Sequence, residues 1–283
     1  MGNRTALIII DPQVDFVEYG KLAVTGGQAA MNRVANFITH NCNKLSHISI
    51  TLDSHHQHHI AHPIIFIDNN TNKHPNIYTS IKKDDIIGNN PTIRASNPAW
   101  QQEIEDYILG LEQRNNVRKG FNIPEINHTI WPPHCLIGTD GMSVVPSVME
   151  AITNWEQSTN KVAGKTTKGS FIFAEHFSVF KAEVADDREP MTKVNWPLIN
   201  MLANYDTLIW SGLAEDYCLA NSFYDFLIEL GGNDDATMKE IGKKMIFATD
   251  GTAAVGLDKS LSSSFHSFLN KYNVKSTTLS NIF

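Results

Sequence analysis

The stretch ALIIID at residues 6–11 places five apolar residues directly before an acid. An unbroken apolar run rich in β-branched residues is typical of a strand buried on both faces of a parallel sheet, rather than of a half-solvated strand. Asp11 would then lie at the carboxyl end of that strand, where open parallel sheets place their sites. The stretch therefore predicts both the class of fold and the place of a site.

Further short apolar runs follow along the chain, and helical patterns separate them. The runs cover residues 48–52, 207–210, 245–248 and, more weakly, 276–279. Between them, residues 28–38 and 219–230 carry apolar side chains at helical spacing. Strands that alternate with helices indicate right-handed crossover units. We therefore predict an α/β fold of three layers (α/β/α) around a mainly parallel sheet.

Residues 63–128 interrupt this alternation. The segment is rich in Asn, Lys, Asp and Pro and holds one amphipathic stretch at 98–111. A loop of this length is usually a lid, a contact surface or partly disordered. For 283 residues, 42% of them hydrophobic, we expect a single domain over 1–283 with an insertion at about 63–128 that lies over one edge of the sheet. Polar residues 231–244 predict a long connection between a helix and a strand.

Composition narrows the classes of function. The net charge is −7, from 23 basic and 30 acidic residues that form no basic stripe, so we expect no nucleic-acid partner. No apolar run approaches the roughly 18 residues that cross a bilayer, and no basic and apolar leader precedes the first strand. We therefore expect a cytoplasmic protein without a membrane partner. Three cysteines, Cys42, Cys135 and Cys218, are too few for a disulfide scaffold, so one of them could be a nucleophile.

A group of histidines follows the second predicted strand. Asp53 and His55 are alternate residues of an extended chain, so their side chains project to the same side and could bind one cation. A carboxylate and an imidazole suit zinc, iron or manganese. His59, four residues further on, could reach back as a third group. The alternative is an exposed polar loop that binds metal adventitiously.

The segment WPPHC at residues 131–135 is stiff, because consecutive prolines fix φ and exclude helix. It could hold His134 at a metal and Trp131 flat against an aromatic ligand. Structural rigidity alone is the alternative interpretation. We expect Cys135 to be a packed thiol.

The segment GLAEDYC at residues 212–218 connects the predicted strand at 207–210 to a strongly apolar helix that begins around Leu219. With Asp216 as the helix cap, Cys218 would fall in the first turn, where the helix dipole and free N–H groups favour a thiolate and could bind an oxyanion. A partly desolvated Asp11 could serve as a base. The alternatives are a buried, inert cysteine and an aspartate that only begins a turn.

Taken in chain order, these segments resemble the nicotinamidase branch of the isochorismatase-like cysteine hydrolases. The segments are DPQVDF at 11–16, DSH at 53–55, WPPHC at 131–135, KG at 168–169 with FSVF at 177–180, and GLAEDYC at 212–218. The resemblance implies a Rossmann-like, isochorismatase-like hydrolase fold. It also implies hydrolysis of nicotinamide to nicotinate and ammonia through a cysteine thioester, a reaction of NAD salvage.

The resemblance assigns roles to individual residues. It makes Cys218 the nucleophile, Asp11 its base and Lys168 the cation that positions and stabilises them. Lys168 matches rather than Lys119, because only Lys168 follows the WPPHC segment and precedes the FSVF segment. The backbone N–H groups of Ala214 and Cys218 match the oxyanion hole, and the family has a non-proline cis peptide bond before the residue that corresponds to Ala214.

The resemblance also implies one divalent metal ion that orients the pyridine ring, zinc first, with iron or manganese as alternatives. The residues that match its ligands are Asp53, His55, His134 and, as a fourth that some members use, His59. The residues that match the walls around the ring are Phe16 and Trp131. Ser54 and His56 stand where the family usually has Trp and Pro.

The substrate expected from these assignments is a small-molecule amide, and a homo-oligomer is compatible with the sequence. The chief alternative is a related cysteine hydrolase that acts on another small amide or ureido compound and uses the metal site differently or not at all. A non-catalytic metal-binding protein is the remaining alternative.

Overall fold

A computed structural model describes residues 3–283, and a six-stranded sheet lies at its centre. The strands are β1 (Thr5–Ile10), β2 (His47–Asp53), β3 (Phe66–Asp68), β4 (Ser80–Ile81), β5 (Ile93–Ala95), β6 (His128–Thr129), β7 (Gly164–Lys168), β8 (Thr207–Leu213), β9 (Met245–Ala253) and β10 (Lys275–Thr277). The central sheet has the order β10-β9-β8-β1-β2-β7, and every pair in it is parallel. All six residues of β1 are buried, as the unbroken apolar run predicts.

Helices flank this sheet. They are α1 (Gly27–His40), α2 (Lys83–Ile86), α3 (Gln101–Gly120), α4 (Pro146–Thr159), α5 (Trp196–Ala203), α6 (Ala220–Gly231), α7 (Asp235–Gly242) and α8 (Lys259–Lys271). The helix α1 packs against α4, and α6 packs against α5 and α7. The crossover through α1 runs from β1 to β2, and the crossover through α6 runs from β8 to β9, toward the other edge of the sheet. Because both crossovers are right-handed, the two helices lie on opposite faces of the sheet. The predicted α/β/α class is thereby confirmed.

The direction in which successive strands are added to the sheet reverses between β1 and β8, although the strands themselves stay parallel. From β1 the chain moves outward to β2 and then to β7, and it returns to the other side of β1 as β8. Open sheets bind ligands at such a switch point, beyond the carboxyl ends of the strands. The residues that follow β1 and β8 are Asp11 and Ala214.

The structure differs from the sequence predictions in three elements. The strand β7 was missed because it is an edge strand of polar sequence, GKTTK, in which only Lys168 is fully buried. The predicted connection at 231–244 contains the helix α7, whose amino end is capped by the side chain of Asp234 through the N–H of Thr237. The weak run at 276–279 is a strand only as far as Thr277.

The segment 63–128 is ordered around an apolar cluster of its own. The strands β3 and β5 pair antiparallel, as do β4 and β6, and α3 extends well beyond the amphipathic stretch at 98–111. The cluster includes Phe66, Ile104 and Ile108, and it joins Ile60 and Ala174 from segments that follow β2 and β7. The segment therefore packs at the carboxyl ends of these two strands. Within residues 3–283, no helix is both long and apolar enough to cross a bilayer.

Candidate active site

The carboxyl ends of β1, β2 and β7 bring three charged side chains together. Lys168 ends β7, and its Nζ lies 2.9 Å from Asp11 Oδ2 and 3.2 Å from Asp53 Oδ1. The same ammonium donates to the sulfur of Cys218 at 3.5 Å and to the carbonyl oxygen of His176 at 2.9 Å. Lys168, Asp11 and Asp53 are each at most 3% exposed. By contrast, the side chain of Lys119 is 60% exposed and pairs with Glu125.

Burial and mutual contact set the charge states of this group. Burial alone would lower the pKa of Lys168, but the carboxylates of Asp11 and Asp53 hold it well above its usual value. Burial raises the pKa of Asp11, and Lys168 only partly offsets this effect. Burial also raises the pKa of the Cys218 thiol well above its usual value, against the opposing charge of Lys168. The group therefore combines a fixed ammonium, a thiol that needs a base and a carboxylate with raised proton affinity.

Asp11 is held in place by a residue that the sequence analysis did not single out. The hydroxyl of Thr51, in β2, donates to Asp11 Oδ1 at 2.5 Å and accepts from the Asp11 N–H at 3.0 Å. These two bonds fix the orientation of the carboxyl group. Only the inward alternation of β2 could have pointed to Thr51, because a buried threonine carries no distinctive sequence signal.

Cys218 lies in a wide turn that precedes α6. Residues Glu215–Leu219 form a π-helical turn that continues directly into α6 at Ala220, so Cys218 lies in the first turn of the helical segment, as expected, but this turn is π-helical. Asp216 is not the cap of this segment, because Ala214 occupies that position. The carboxylate of Asp216 accepts the N–H groups of Val255 and Gly256 and so ties the turn to the end of β9.

The backbone before this turn agrees with the family resemblance. The peptide bond between Leu213 and Ala214 is cis. Ala214 and Cys218 both line the same cavity, so both ends of the turn face the space next to the thiol.

Asp53, His55 and His134 form a second group on the other side of Lys168. One ligand atom from each lies within 4.8 Å of the others, and all three residues are buried. Asp53 Oδ2 lies 3.0 Å from His55 Nε2 and 3.5 Å from His134 Nε2. Burial would raise the pKa of Asp53, but the charges of His55 and Lys168 hold it well below its usual value. The carboxylate is therefore available as an anionic ligand.

The donor set fits a divalent metal ion. His55 Nδ1 lies 2.9 Å from the carbonyl oxygen of Gly169, and His134 Nδ1 lies 2.8 Å from that of Pro132. A ring that donates from Nδ1 keeps the lone pair on Nε2, the atom that faces Asp53. His55 Nε2 is buried without a hydrogen-bond partner among the described residues.

The glycine of the KG pair, Gly169, lies at a position with no room for a side chain. Gly169 has a φ of +80°, and a Cβ placed there would lie 2.6 Å from Asp53 Oδ1 and 2.8 Å from a ring carbon of His55. A larger residue would therefore push on both the carboxylate and the imidazole.

The remaining histidines of the cluster separate into two types. His56 and His58 are exposed, whereas His59 and His62 are buried. His59 Nδ1 accepts the N–H of Ala61, which leaves the proton of a neutral ring on Nε2, so this arrangement does not support His59 as a fourth ligand. His62 Nδ1 lies 3.2 Å from the carbonyl oxygen of Gln57 and donates to it in the neutral ring, so the lone pair of His62 stays on Nε2. The ring centroid of His62 lies 5.7 Å from that of His134.

A narrow cavity lies between Cys218 and the group of Asp53 and His134. The residues that line it include the predicted ring walls, some members of each site group and several residues that the sequence analysis missed: Phe16, Leu22, Asp53, Trp131, His134, Glu175, Phe177, Ala214, Tyr217, Cys218 and Val255. Trp131 meets Tyr217 edge to face, with ring centroids 4.9 Å apart. The cavity is therefore narrow and aromatic, and the thiol of Cys218 and the side chains of Asp53 and His134 lie on its walls.

Glu175 and Cys135 are two nearby groups with different surroundings. Glu175 lines the cavity, and burial raises its pKa despite the charge of His55. Cys135 is fully buried, is not among the cavity residues, and directs its sulfur toward the carbonyl of Gly141. It is a packed thiol, as expected.

Comparison with known proteins gives matches only in structure. No protein-family model and no curated protein matches the sequence. The chain is similar over its full length to all of a nicotinamidase/pyrazinamidase from Acinetobacter baumanii, with 16% identity and a TM-score of 0.63. Over 97% of its length it is similar to 99% of yeast nicotinamidase bound to the inhibitor nicotinaldehyde, with 17% identity and a TM-score of 0.59.

A third similar structure contains a metal. It is the pyrazinamidase of Pyrococcus horikoshii in complex with zinc, which matches 97% of this chain and 99% of its own, with 16% identity and a TM-score of 0.53. At these identities the comparisons establish the fold. The chain has the isochorismatase-like α/β fold of the nicotinamidases and pyrazinamidases.

Proposed function

We propose that this protein is a cysteine amidohydrolase that converts nicotinamide to nicotinate and ammonia. The observation that carries the proposal is the position of Lys168, whose ammonium contacts both the carboxylate of Asp11 and the sulfur of Cys218. A primary amide is a poor electrophile, so its hydrolysis requires an activated thiol together with a proton donor for the departing ammonia. We further propose that the enzyme serves NAD salvage in the cytoplasm.

The proposed reaction uses Asp11 twice. Cys218 transfers its thiol proton to Asp11, and the sulfur forms a bond to the amide carbon. The N–H groups of Ala214 and Cys218 face the oxygen that becomes negative. Asp11 returns the proton to the amide nitrogen, the C–N bond breaks and ammonia leaves. Water then gives a proton to Asp11 and attacks the thioester carbon. The C–S bond breaks, Asp11 returns that proton to the sulfur and so restores the thiol, and the product acid leaves and ionises to nicotinate.

Lys168 would keep two negative charges compatible in a buried site. When Cys218 transfers its proton, a thiolate forms within contact distance of the ammonium, while Asp53 remains charged on the other side. Unpaired buried charges are strongly disfavoured. The ammonium therefore lowers the cost of the thiolate without taking part in proton transfer.

The aromatic walls would select and orient the substrate. Phe16, Trp131 and Phe177 line the cavity between Cys218 and the metal group. Asp53, His55 and His134 would hold a divalent cation, which when bound supplies a Lewis acid for the ring nitrogen of the substrate. Holding a flat ring at two points sets the distance from its amide carbon to Cys218.

Ammonia release from nicotinamide tests this proposal. The protein loaded with zinc should release ammonia and nicotinate in equal amounts, and treatment with a chelator should lower the rate until metal is restored. Pyrazinamide and a small ureido compound serve as parallel substrates. Turnover of the ureido compound with none of nicotinamide would favour the alternative cysteine hydrolase, and turnover of none of the three would contradict the assignment.

Removal of a ligand tests the metal group without measuring activity. We expect one bound divalent cation per chain, and His134→Ala should lower its affinity at least about 100-fold, because even indirect partners of metal ligands contribute 10- to 100-fold. Metal content after dialysis is the measurement. His58→Ala is the matched control, since His58 is exposed, and it should retain the full content. Equal metal loss in both variants would show that the cation binds elsewhere in the histidine cluster.

A further inference from the structure

Arg118 is a buried cation whose contacts are unusual. It lies near the end of α3, in the segment 63–128, and is 4% exposed. Its Nε donates to the carbonyl oxygen of Pro124 at 2.7 Å, and its Nη1 donates to Asn221 Oδ1 at 2.6 Å. Among the described residues, no carboxylate oxygen lies within salt-bridge distance of its guanidinium. Within residues 3–283, the amide of Asn221 is therefore the single side-chain hydrogen-bond acceptor of this guanidinium, and the ring centroid of Tyr224 lies 5.7 Å from its central carbon.

Asn221 extends this contact into the turn that holds Cys218. It lies in the first turn of α6, and its Nδ2 donates to the carbonyl oxygen of Tyr217 at 2.8 Å. Tyr217 lines the cavity and directly precedes Cys218. A cation on the amide oxygen strengthens the amide as a donor, because linked hydrogen bonds polarise one another. The charge of Arg118 is thus connected to the backbone next to the thiol.

We propose that Arg118 is a positioning residue that holds the Cys218 turn in place through Asn221. The π-helical turn is wider than an α-helical turn, and the carbonyl of Tyr217 accepts the N–H of Ala220 as well as Nδ2 of Asn221, so the side chain of Asn221 adds a second restraint at this carbonyl. By this contact, the segment 63–128 contributes to the geometry of the nucleophile although none of its residues lines the cavity. The inference deepens the proposed function and rests on Cys218 being its nucleophile.

Arg114 shows what a purely structural contact in the same place looks like. It lies one turn earlier in α3, and its guanidinium pairs with Asp225 at 2.6 Å and with Glu183 at 3.5 Å. It thus also joins α3 to α6, but through carboxylates that make no contact with the Cys218 turn. Arg114→Met is therefore a matched control that breaks the same helix contact without the connection through Asn221.

The experiment is a double-mutant cycle on Arg118→Met and Asn221→Ala. The first measurement is the rate of alkylation of Cys218 by iodoacetamide, read from its peptide, and it requires no substrate. The second is kcat with nicotinamide in the metal-loaded protein. Each single variant should lower the alkylation rate and kcat about tenfold. The double variant should have the same two rates as Asn221→Ala, because both substitutions break the same connection between Arg118 and the Tyr217 carbonyl. Arg114→Met should lower the melting temperature but change the alkylation rate less than about twofold.

The outcomes separate the two proposals. Additive effects of Arg118→Met and Asn221→Ala, or an equal effect of Arg114→Met on alkylation, would overturn the positioning role. If Arg118→Met does not fold, Arg118→Lys replaces it in the cycle, because it keeps the charge but not both donors. Coupled effects on alkylation in a protein that does not hydrolyse nicotinamide would support the positioning role and contradict the proposed substrate.

Discussion

Cys218→Ala is expected to lower turnover of nicotinamide at least about ten-thousandfold, the scale of loss when a covalent hydrolase loses its nucleophile. A methyl group cannot form the bond to the amide carbon, and no neighbouring group replaces the thiol. The side chain of Cys218 is almost fully buried in a turn, so the smaller alanine leaves the surrounding contacts of Lys168 with Asp11 and Asp53 in place. Steady-state ammonia release, followed with the metal-loaded protein, is the measurement.

Cys135→Ala is the matched control for this prediction. Cys135 is also buried and also close to a site histidine in sequence, but it does not line the cavity. Its replacement should cost stability through lost packing and leave most of the turnover. A Cys135→Ala variant that loses turnover while Cys218→Ala retains it would reverse the assignment of the nucleophile.

Asp11→Asn is expected to lower turnover at least about 100-fold, the usual contribution of a general base. The amide keeps the shape of the side chain and can still accept the hydroxyl proton of Thr51, but it cannot take up the proton of Cys218. It also removes one negative charge beside Lys168. The fall should appear in kcat, because Asp11 does not line the cavity that would hold the substrate.

Asp250→Asn provides the control for Asp11→Asn. Asp250 belongs to β9 in the same sheet, and its carboxylate accepts the N–H of Leu279, far along the chain from the site residues. Turnover within a factor of about two is expected for this variant. Near-normal turnover by Asp11→Asn would show that another group accepts the thiol proton.

The sheet could be predicted from sequence because its central strands are buried on both faces. β1 is the clearest case, since all six of its residues are buried and its apolar run is unbroken. The strand β7 could not be found in this way, because it pairs on one side only and its residues are polar. This strand nevertheless ends in Lys168, and only the family motif indicated the position of that lysine in the site.

The residues with a proposed chemical role could be predicted from the sequence, whereas the residues that hold them in position could not. Motif order singled out Asp11, Lys168 and Cys218, and in the structure the ammonium of Lys168 contacts both of the other side chains. Thr51 and Glu175 carry no motif, and their places depend on packing across strands and loops that are distant in sequence. The same holds for the contact of Arg118 with Asn221, which lies 103 residues further along the chain.

The sequence also could not predict which ring nitrogen of each clustered histidine carries the proton. The family resemblance made His59 a candidate fourth ligand, but the N–H of Ala61 occupies its Nδ1. Whether an imidazole nitrogen is free depends on the backbone group that its other nitrogen contacts, and a loop sequence does not specify that group. For His62, that group is the carbonyl of Gln57.

The most direct test of the proposed mechanism is the mass of the protein during turnover. The metal-loaded enzyme is mixed with excess nicotinamide, quenched in acid within the first turnovers and digested, and the peptides are weighed. The account predicts that the peptide with Cys218 gains the mass of one nicotinoyl group, which is nicotinamide less ammonia, as a thioester that hydroxylamine removes. Rapid turnover with the adduct on the Cys135 peptide, or a quenched enzyme that carries the adduct on a residue other than cysteine, would contradict it.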